Sequence, residues 1–233
     1  MKSFLLASLL SPLLTYAASP ANPFSNYFLI GFADNGPLIR SVTTVLVLPP
    51  IDQNQTGFLK VYPELATAFD KGGSVTGTGI ALLDDRNPCP NNLQDWCVGA
   101  RLVFGDAQNS GDYAPAPVGS KLGVSITYDP PSKKHNIAVT VNGKLVSSLP
   151  PTSPDNLEVG RAIGFRTQIE CQLDPCGTVN KHEYLDTRVV LDKKDMSFGD
   201  TAVGNKAKAT WKTPDGGLTW TADKIVVEAH TYA

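Results

Sequence analysis

The stretch over residues 121–149 constrains the fold more than any other part of the sequence. Its first run, KLGVSITY, places apolar side chains at every second position from Leu122 to Ile126, which is the pattern of a half-buried β-strand. Two more β-rich runs follow the proline-containing segment DPPSKK. They are joined by Asn142 and Gly143, a pair that tolerates the positive φ angles of a type I′ hairpin turn. The stretch therefore predicts a three-stranded antiparallel meander.

The rest of the chain repeats this pattern of short β-rich runs separated by turns, about a dozen runs in all. Only residues 63–70 carry helix signals, with Pro63 near the start and two glycines beyond the end. Residues 107–119, rich in Gly, Pro, Asn and Ser, are predicted to form a loop. The pattern is typical of an all-β protein, an antiparallel two-sheet β-sandwich of jelly-roll or lectin-like type with little helix. A closed barrel is the alternative.

The first 17 residues have the features of a secretory signal peptide. Lys2 precedes the apolar run FLLASLLSPLL, and Thr15 and Ala17 supply the small residues of a cleavage site. The run is short for a membrane span, which leaves a membrane anchor as the weaker alternative. We expect a secreted, extracellular protein whose residues 18–233 form one domain. Without Lys2, 19 basic residues face 22 acidic ones, and this net charge of −3 argues against nucleic-acid and membrane partners.

Four cysteines lie in two close pairs, Cys89 with Cys97 and Cys171 with Cys176. In a secreted chain they predict two local disulfides, each worth about 2–3 kcal/mol in the chain-entropy model. The spacings differ from CxxC and no histidine adjoins either pair, so we expect no metal site and no cofactor. Asn54 begins the sequon Asn-Gln-Thr and is a predicted glycosylation site in a turn-rich loop.

Residues 213–220, TPDGGLTW, match the Ser/Thr-x-Asp-x-Gly-x-x-Trp pattern and resemble the Asp box of sialidase-type propellers. Asp215 can accept hydrogen bonds from backbone amides of a Gly-Gly turn while Trp220 covers the hairpin. A propeller needs one such unit in every blade, and this chain has a single copy. The motif therefore predicts a structural turn and no sialidase activity.

A polar stripe formed by Arg166, Gln168 and Glu170 alternates with apolar residues in the run AIGFRTQIE. On a curved sheet this stripe would line a groove for a sugar polymer. The run Gln168 to Glu170 is similar to the Gln-Ile-His strand of alginate-lyase-type jelly rolls, with Glu170 in place of histidine. A Gln and Glu pair also resembles the fungal glutamic peptidases, whose fold is a similar sandwich. The alternative is the solvated outer face of an ordinary strand.

The loop DRNPCPNNLQDWC offers a second candidate site. Closed by a Cys89–Cys97 disulfide, it would be a ring that has lost conformational entropy before binding, and Asp95 and Trp96 would be its contact residues. The alternative places Trp96 in the core. The sequence has no Gly-x-Ser-x-Gly, His-Glu-x-x-His, P-loop or dinucleotide motif, so no catalytic residue is assigned and an enzyme is not favoured.

Leader, sequon, local disulfides and sandwich pattern together resemble the small secreted effector-like proteins of fungi. That resemblance implies a non-enzymatic virulence protein that acts outside the cell, by binding and blocking a host extracellular protein such as a secreted protease. The alternatives are a polysaccharide-acting lyase or hydrolase that uses Arg166, Gln168 and Glu170, and a lectin-like module that binds cell-wall glycans.

Overall fold

The computed structural model describes residues 26–32, 36–52, 54, 57–67, 73–81, 88–89, 94–104, 107–172 and 176–232, and the predicted signal peptide lies outside them. The first strands are β1 (Tyr27–Gly31), β2 (Ile39–Val47), β3 (Phe58–Thr67), β4 (Gly73–Ala81), β5 (Trp96–Phe104), β6 (Ala107–Ala116), β7 (Lys121–Asp129) and β8 (Lys134–Val141). They are followed by β9 (Lys144–Leu149), β10 (Ala162–Gln172), β11 (Thr178–Val179), β12 (His182–Leu191), a 3₁₀ turn at Phe198–Thr201, β13 (Val203–Asn205), β14 (Ala207–Ala209), β15 (Thr219–Val227) and β16 (His230–Thr231).

Fourteen of these strands form two antiparallel layers. The first layer has the order β13-β1-β10-β3-β4-β5-β6, and the second has the order β14-β15-β12-β2-β7-β8-β9. A single residue pair, Ala162 with Ile39, links the two layers. Strands β11 and β16 pair separately. The predicted all-β, antiparallel two-sheet sandwich is confirmed.

The core lies between the layers, where the strands approach closely. A Cβ atom at Gly77 of β4 would lie 2.5 Å from Val124 of β7 and 3.1 Å from Val139 of β8, so only glycine fits there. The largest side chains that are fully buried include Trp96, Tyr184, Phe165 and Phe198. The inner faces of both layers are thus filled by apolar side chains at alternate positions.

The predicted meander is present as β7, β8 and β9. Strand β8 pairs with β7 along its whole length and returns to β9 through a two-residue turn between Val141 and Lys144. Asn142 and Gly143 in that turn have φ angles of 50° and 84°. The positive φ values that the Asn-Gly pair predicts are confirmed.

The helix predicted over residues 63–70 is wrong. Strand β3 continues through Pro63 as far as Thr67, and residues 68–72 lie outside the described chain. Strand β3 pairs with β10 on one side and β4 on the other, and all but its first residue are buried. Two-sided pairing and burial outweigh the local helix signals, which are weak in free energy.

The loop predicted over residues 107–119 is also wrong, because residues 107–116 form β6 at the edge of the first layer. A bulge shifts the register between Gly99, opposite Tyr113, and Arg101, opposite Ser110. An edge strand pairs on one side only, so it tolerates Pro115 and needs no apolar alternation.

Both predicted disulfides are present, with Cα–Cα distances of 5.6 Å for Cys89–Cys97 and 5.9 Å for Cys171–Cys176. They indicate an extracellular or otherwise oxidising environment. Among the described residues, no helix has the length and hydropathy needed to span a membrane.

The Asp-box-like segment forms the predicted structural turn. The Asp215 carboxylate accepts hydrogen bonds from the backbone N–H groups of Leu218 at 3.2 Å and Thr219 at 2.7 Å. Trp220 is buried and donates its indole N–H to the carbonyl of Asp195 at 3.3 Å.

Candidate functional site

A groove with polar walls lies on the outer face of the first layer. It has a volume of about 210 Å³. We call it the polar groove, and it is lined by Lys60, Tyr62, Glu64, Ser74, Thr76, Arg101, Val103, Gln108, Arg166, Glu170 and Gln172. These residues come from strands β3, β4, β5, β6 and β10, so the groove runs across the layer.

Strand alternation builds the floor of the polar groove from two polar stripes. The stripe recognised in the sequence occupies one face of β10. A second stripe occupies the adjoining face of β3, and the register pairs Lys60 with Glu170, Tyr62 with Gln168 and Glu64 with Arg166. Because directly opposite residues on antiparallel strands lie side by side, each pair brings two polar groups into contact range.

The Glu64–Arg166 pair is a bidentate ion pair. Arg166 donates from Nε to one Glu64 oxygen at 2.6 Å and from Nη2 to the other at 2.9 Å. Glu64 is only 1 % exposed. Burial disfavours the charged guanidinium, but the hydrogen bonds and charge of Glu64 outweigh it, and the pKa of Arg166 is raised. The Arg166 guanidinium is therefore held in its charged form.

The Glu170 carboxylate is surrounded by donors. One oxygen accepts from Lys60 Nζ and from the Tyr62 hydroxyl, each at 3.0 Å, and the other accepts from the Gln172 side-chain amide. Burial lowers the pKa of Lys60 in spite of the opposing charge of Glu170. Burial, followed by the charge of Glu64, raises the pKa of Tyr62, so its hydroxyl stays a donor.

Gln168 lies between the two ion pairs on the same face of β10, but it does not line the cavity. It is 3 % exposed, and its side-chain nitrogen has no hydrogen-bond partner among the described residues. Of the three predicted groove-face residues, the structure therefore places Arg166 and Glu170 at the groove surface and Gln168 beneath it. This face carries two ion pairs in which Lys60 and Glu64 are buried, and it differs in this from the solvated outer face considered as the alternative.

A second cavity of about 230 Å³ continues from the polar groove past Arg101 and Gln108. Its other lining residues are Phe58, Pro88, Asn109, Ser110 and Tyr113. Arg101 donates a hydrogen bond from Nη2 to the Gln108 side-chain oxygen where the two cavities meet.

Both disulfides lie at the same end of the strands that form the polar groove, although Cys171 faces the core, on the side of β10 opposite Glu170 and Gln172. Cys97 pairs with Ile80 on β4, which pairs in turn with Lys60 on β3. Cys171 directly follows Glu170, the partner of Lys60. The two covalently closed loops are therefore anchored at the same end, and Pro88, next to Cys89, contributes to the second cavity.

The prediction that Trp96 is a surface contact residue is wrong. Trp96 is fully buried and donates its indole N–H to the carbonyl of Pro49 at 2.7 Å. It lies on the core side of β5 together with Val98 and Ala100, and Asp95 beside it is half-exposed. The alternation in the run WCVGARL indicates this buried position, because Trp96 lies on the same face of the strand as apolar residues.

Four residues of the groove were not predicted from the sequence, namely Lys60, Tyr62, Glu64 and Arg101. The first three alternate in the run KVYPE, a signal that the proline and the following helix formers obscured.

Asn54 is exposed and lies in a turn, and its glycosylation stays a prediction. No group of three or more His, Cys, Asp or Glu residues in the described chain could hold a metal ion.

No family model and no curated protein matches the sequence. Similar solved structures include scytalido-glutamic peptidase with a transition state analog inhibitor, at 12 % identity and a TM-score of 0.55, over 90 % of this chain and 98 % of that chain. They also include SCP-B, an eqolisin-family peptidase in complex with the tripeptide Ala-Ile-His, at 12 % identity and a TM-score of 0.50 over the same shares.

A more distant structure is the Bacillus licheniformis β-glucanase, at 11 % identity and a TM-score of 0.37 over 89 % of this chain and 83 % of its own. The neighbours thus include a glutamic peptidase fold and a glycan-hydrolase fold. With TM-scores of 0.50 and 0.55 at 12 % identity, the likeness to the two peptidases shows a similar fold and nothing about function.

Proposed function

We propose that the chain is an extracellular binding protein that takes an extended peptide segment into the polar groove without cleaving it. The proposal rests on the observation that both carboxylates of the polar groove already accept hydrogen bonds from side chains of the protein. Glu64 is held by Arg166, and Glu170 is held by Lys60 and Tyr62.

A carboxylate that acts as a general acid or base must give up or take a proton at the substrate. Glu64 is buried and both its oxygens already accept from a guanidinium. Both oxygens of Glu170 accept from neighbouring donors as well. These contacts favour a role of the two carboxylates as fixed parts of a binding surface over a role in proton transfer.

An extended peptide suits the groove because it offers backbone donors and acceptors at regular intervals. The groove supplies matching polar groups on neighbouring strands, and its neutral ones include Ser74, Thr76, Gln108 and Gln172. The similarity in fold supports a peptide as the ligand, since the similar peptidases form complexes with a peptide based transition state analog and with a tripeptide.

The proposed partner is an extracellular protein, and a secreted protease is the class that the sequence analysis favours. The Cys89–Cys97 disulfide would keep the adjoining end of the groove rigid, and rigidity reduces the entropy lost on binding. Blocking such a partner is the proposed consequence of binding. Secretion after residue 17 and a single domain over residues 18–233 are part of the same proposal.

A polysaccharide-acting enzyme is the second candidate. Glu64 and Glu170 line one cavity, and hydrolases of sugar polymers use such a pair of carboxylates. This candidate predicts an activity on polysaccharide that disappears in Glu170→Gln, whereas the binding proposal predicts none.

Selection of a random peptide display library on the immobilised chain lacking residues 1–17 tests the binding proposal. Ser74→Tyr places a large side chain in the polar groove, and Ser125→Tyr is the matched control on the outer face of the second layer. We expect peptides enriched by the parent and by Ser125→Tyr to bind Ser74→Tyr at least tenfold more weakly, with melting temperatures unchanged. Equal binding by all three proteins would exclude the groove as the site.

A further inference from the structure

Arg101 occupies the junction of the polar groove and the second cavity. It lines both cavities, and Gln108 is the other residue that does so. Strand pairing places Thr76 of β4 on one side of Arg101 and Ser110 of β6 on the other. A ligand that extends from one cavity into the next must therefore pass the Arg101 guanidinium.

Charge in the polar groove is unbalanced at this point. Its lining contains three cations, Lys60, Arg101 and Arg166, and two carboxylates, Glu64 and Glu170. Glu170 forms an ion pair with Lys60, and Glu64 forms one with Arg166. Within the described parts of the chain, Arg101 forms no ion pair and its hydrogen bond goes to the neutral amide of Gln108. Among the described residues of the groove, one positive charge is therefore left without a counter-charge.

The field of this excess charge reaches the floor of the groove. The pKa of Lys60 is lowered chiefly by burial, and the positive charge of Arg101 adds to that effect. Two cations that repel each other across a partly enclosed space are both stabilised by an anion placed between or beside them. The groove thus favours a ligand that brings negative charge to Arg101.

The surroundings of Arg101 suit a carboxylate on a short apolar stem. The guanidinium presents a planar fork of donors that matches carboxylate geometry. Asn109 and Ser110 supply neutral polar groups in the adjoining cavity, and Phe58 and Tyr113 supply ring surfaces for methylene groups. An aspartate or glutamate side chain has these properties.

A peptide can reach Arg101 and the ion-paired floor at the same time. The residues Arg166, Glu64, Thr76 and Arg101 lie opposite one another on four neighbouring strands. Three strand spacings span about 14 Å, a distance that an extended chain covers in about four residues. We propose that Arg101, with Gln108, makes the polar groove selective for an extended peptide that carries an acidic side chain.

This inference rests on the proposed peptide-binding function, and one experiment separates the two. The display library is selected in parallel on the parent, Arg101→Met and Arg101→Lys, and the recovered peptides are sequenced. For the parent we expect Asp and Glu to be enriched at least fivefold at one position. Arg101→Met should still enrich peptides but without the acidic bias, and Arg101→Lys should keep part of it. Melting temperatures establish that each variant is folded.

If folding fails in Arg101→Met, Gln108→Leu replaces it, with a weaker acidic bias as the expected result. Enrichment of peptides by the parent without an acidic bias would overturn this inference and leave the binding proposal in place. The absence of any enriched peptide would overturn both. Binding of polygalacturonate that depends on Arg101, without peptide binding, would also overturn the peptide assignment and transfer the anionic site to a sugar polymer.

Discussion

Glu64 and Arg166 lie directly opposite each other on β3 and β10 and form two parallel hydrogen bonds of 2.6 and 2.9 Å. They are 102 residues apart in the sequence. The pair forms part of the floor of the polar groove, where the buried carboxylate of Glu64 balances the charge of the half-buried Arg166 guanidinium.

Removal of Glu64 alone should be strongly destabilising. Glu64→Leu leaves the half-buried Arg166 guanidinium without its counter-charge, and we expect a loss of about 2–4 kcal/mol in the free energy of unfolding. Urea denaturation of the parent, Glu64→Leu, Arg166→Leu and the double variant measures this. The double variant should be more stable than Glu64→Leu. Strictly additive losses would show that the two side chains do not interact in solution.

This ion pair also shows how far the sequence predicts the site. Alternation in AIGFRTQIE was sufficient to place Arg166 and Glu170 on one polar face. Glu64 was missed because residues 63–70 combine a proline with helix formers, and local propensity gives no information about a strand pairing across 100 residues. Strand register, which is a property of the folded layer, brings Glu64 and Lys60 to that face.

The fold itself was predictable because its signals are local. The Asn142–Gly143 turn and the alternation on either side of it need only neighbouring residues to be recognised. Edge strand β6 was missed for the opposite reason, since an exposed edge strand carries no apolar alternation. Trp96 was misplaced because an aromatic residue next to a disulfide suits a contact loop as well as a core.

The hairpin turn at Gly143 should not tolerate a β-branched residue. Gly143 has a φ angle of 84° and no atom within 4 Å of the position of an added Cβ, so the cost of Gly143→Val is purely conformational. We expect a loss of about 1–3 kcal/mol, measured from urea denaturation midpoints. Lys144→Val, at the exposed start of β9, is the control and should change stability little. Coincident midpoints for parent and Gly143→Val would contradict the turn.

Stability should fall as the pH decreases from about 6.5 to 4. Burial lowers the pKa of both His135 and His182 to about 4. In the unfolded chain these histidines take up protons near the ordinary histidine pKa of about 6.5. Their contribution to the free energy of unfolding is therefore complete above that pH, and it is lost as the pH falls to their pKa in the folded protein. Each histidine contributes about 3 kcal/mol to the free energy of unfolding at pH 7, because its pKa falls from 6.5 to about 4 and one pKa unit corresponds to about 1.4 kcal/mol.

Chemical denaturation of the parent and His135→Leu at pH 7 and pH 4 tests this dependence. The difference in unfolding free energy between the two pH values should be smaller in His135→Leu, since one of the two buried groups has been removed. An equal difference in parent and variant would mean that His135 is not buried in its neutral form.

The mature protein should begin at Ala18 or Ser19 with all four cysteines oxidised. Intact-mass measurement of secreted material before and after reduction determines both properties. We expect the mass to rise by about four hydrogens on reduction, because two disulfides are broken. Freely alkylated thiols in unreduced material, or a retained leader, would contradict this expectation.

The central claim, that the polar groove binds a peptide without cleaving it, is tested most directly by following binding and peptide integrity in one sample. Peptides selected on the parent protein are titrated by calorimetry, and the same mixtures are analysed by mass spectrometry after prolonged incubation between pH 3 and pH 7. The account predicts saturable binding, at least tenfold weaker in Ser74→Tyr than in Ser125→Tyr, with every peptide intact. Cleavage products that form with the parent and disappear with Glu170→Gln would contradict it.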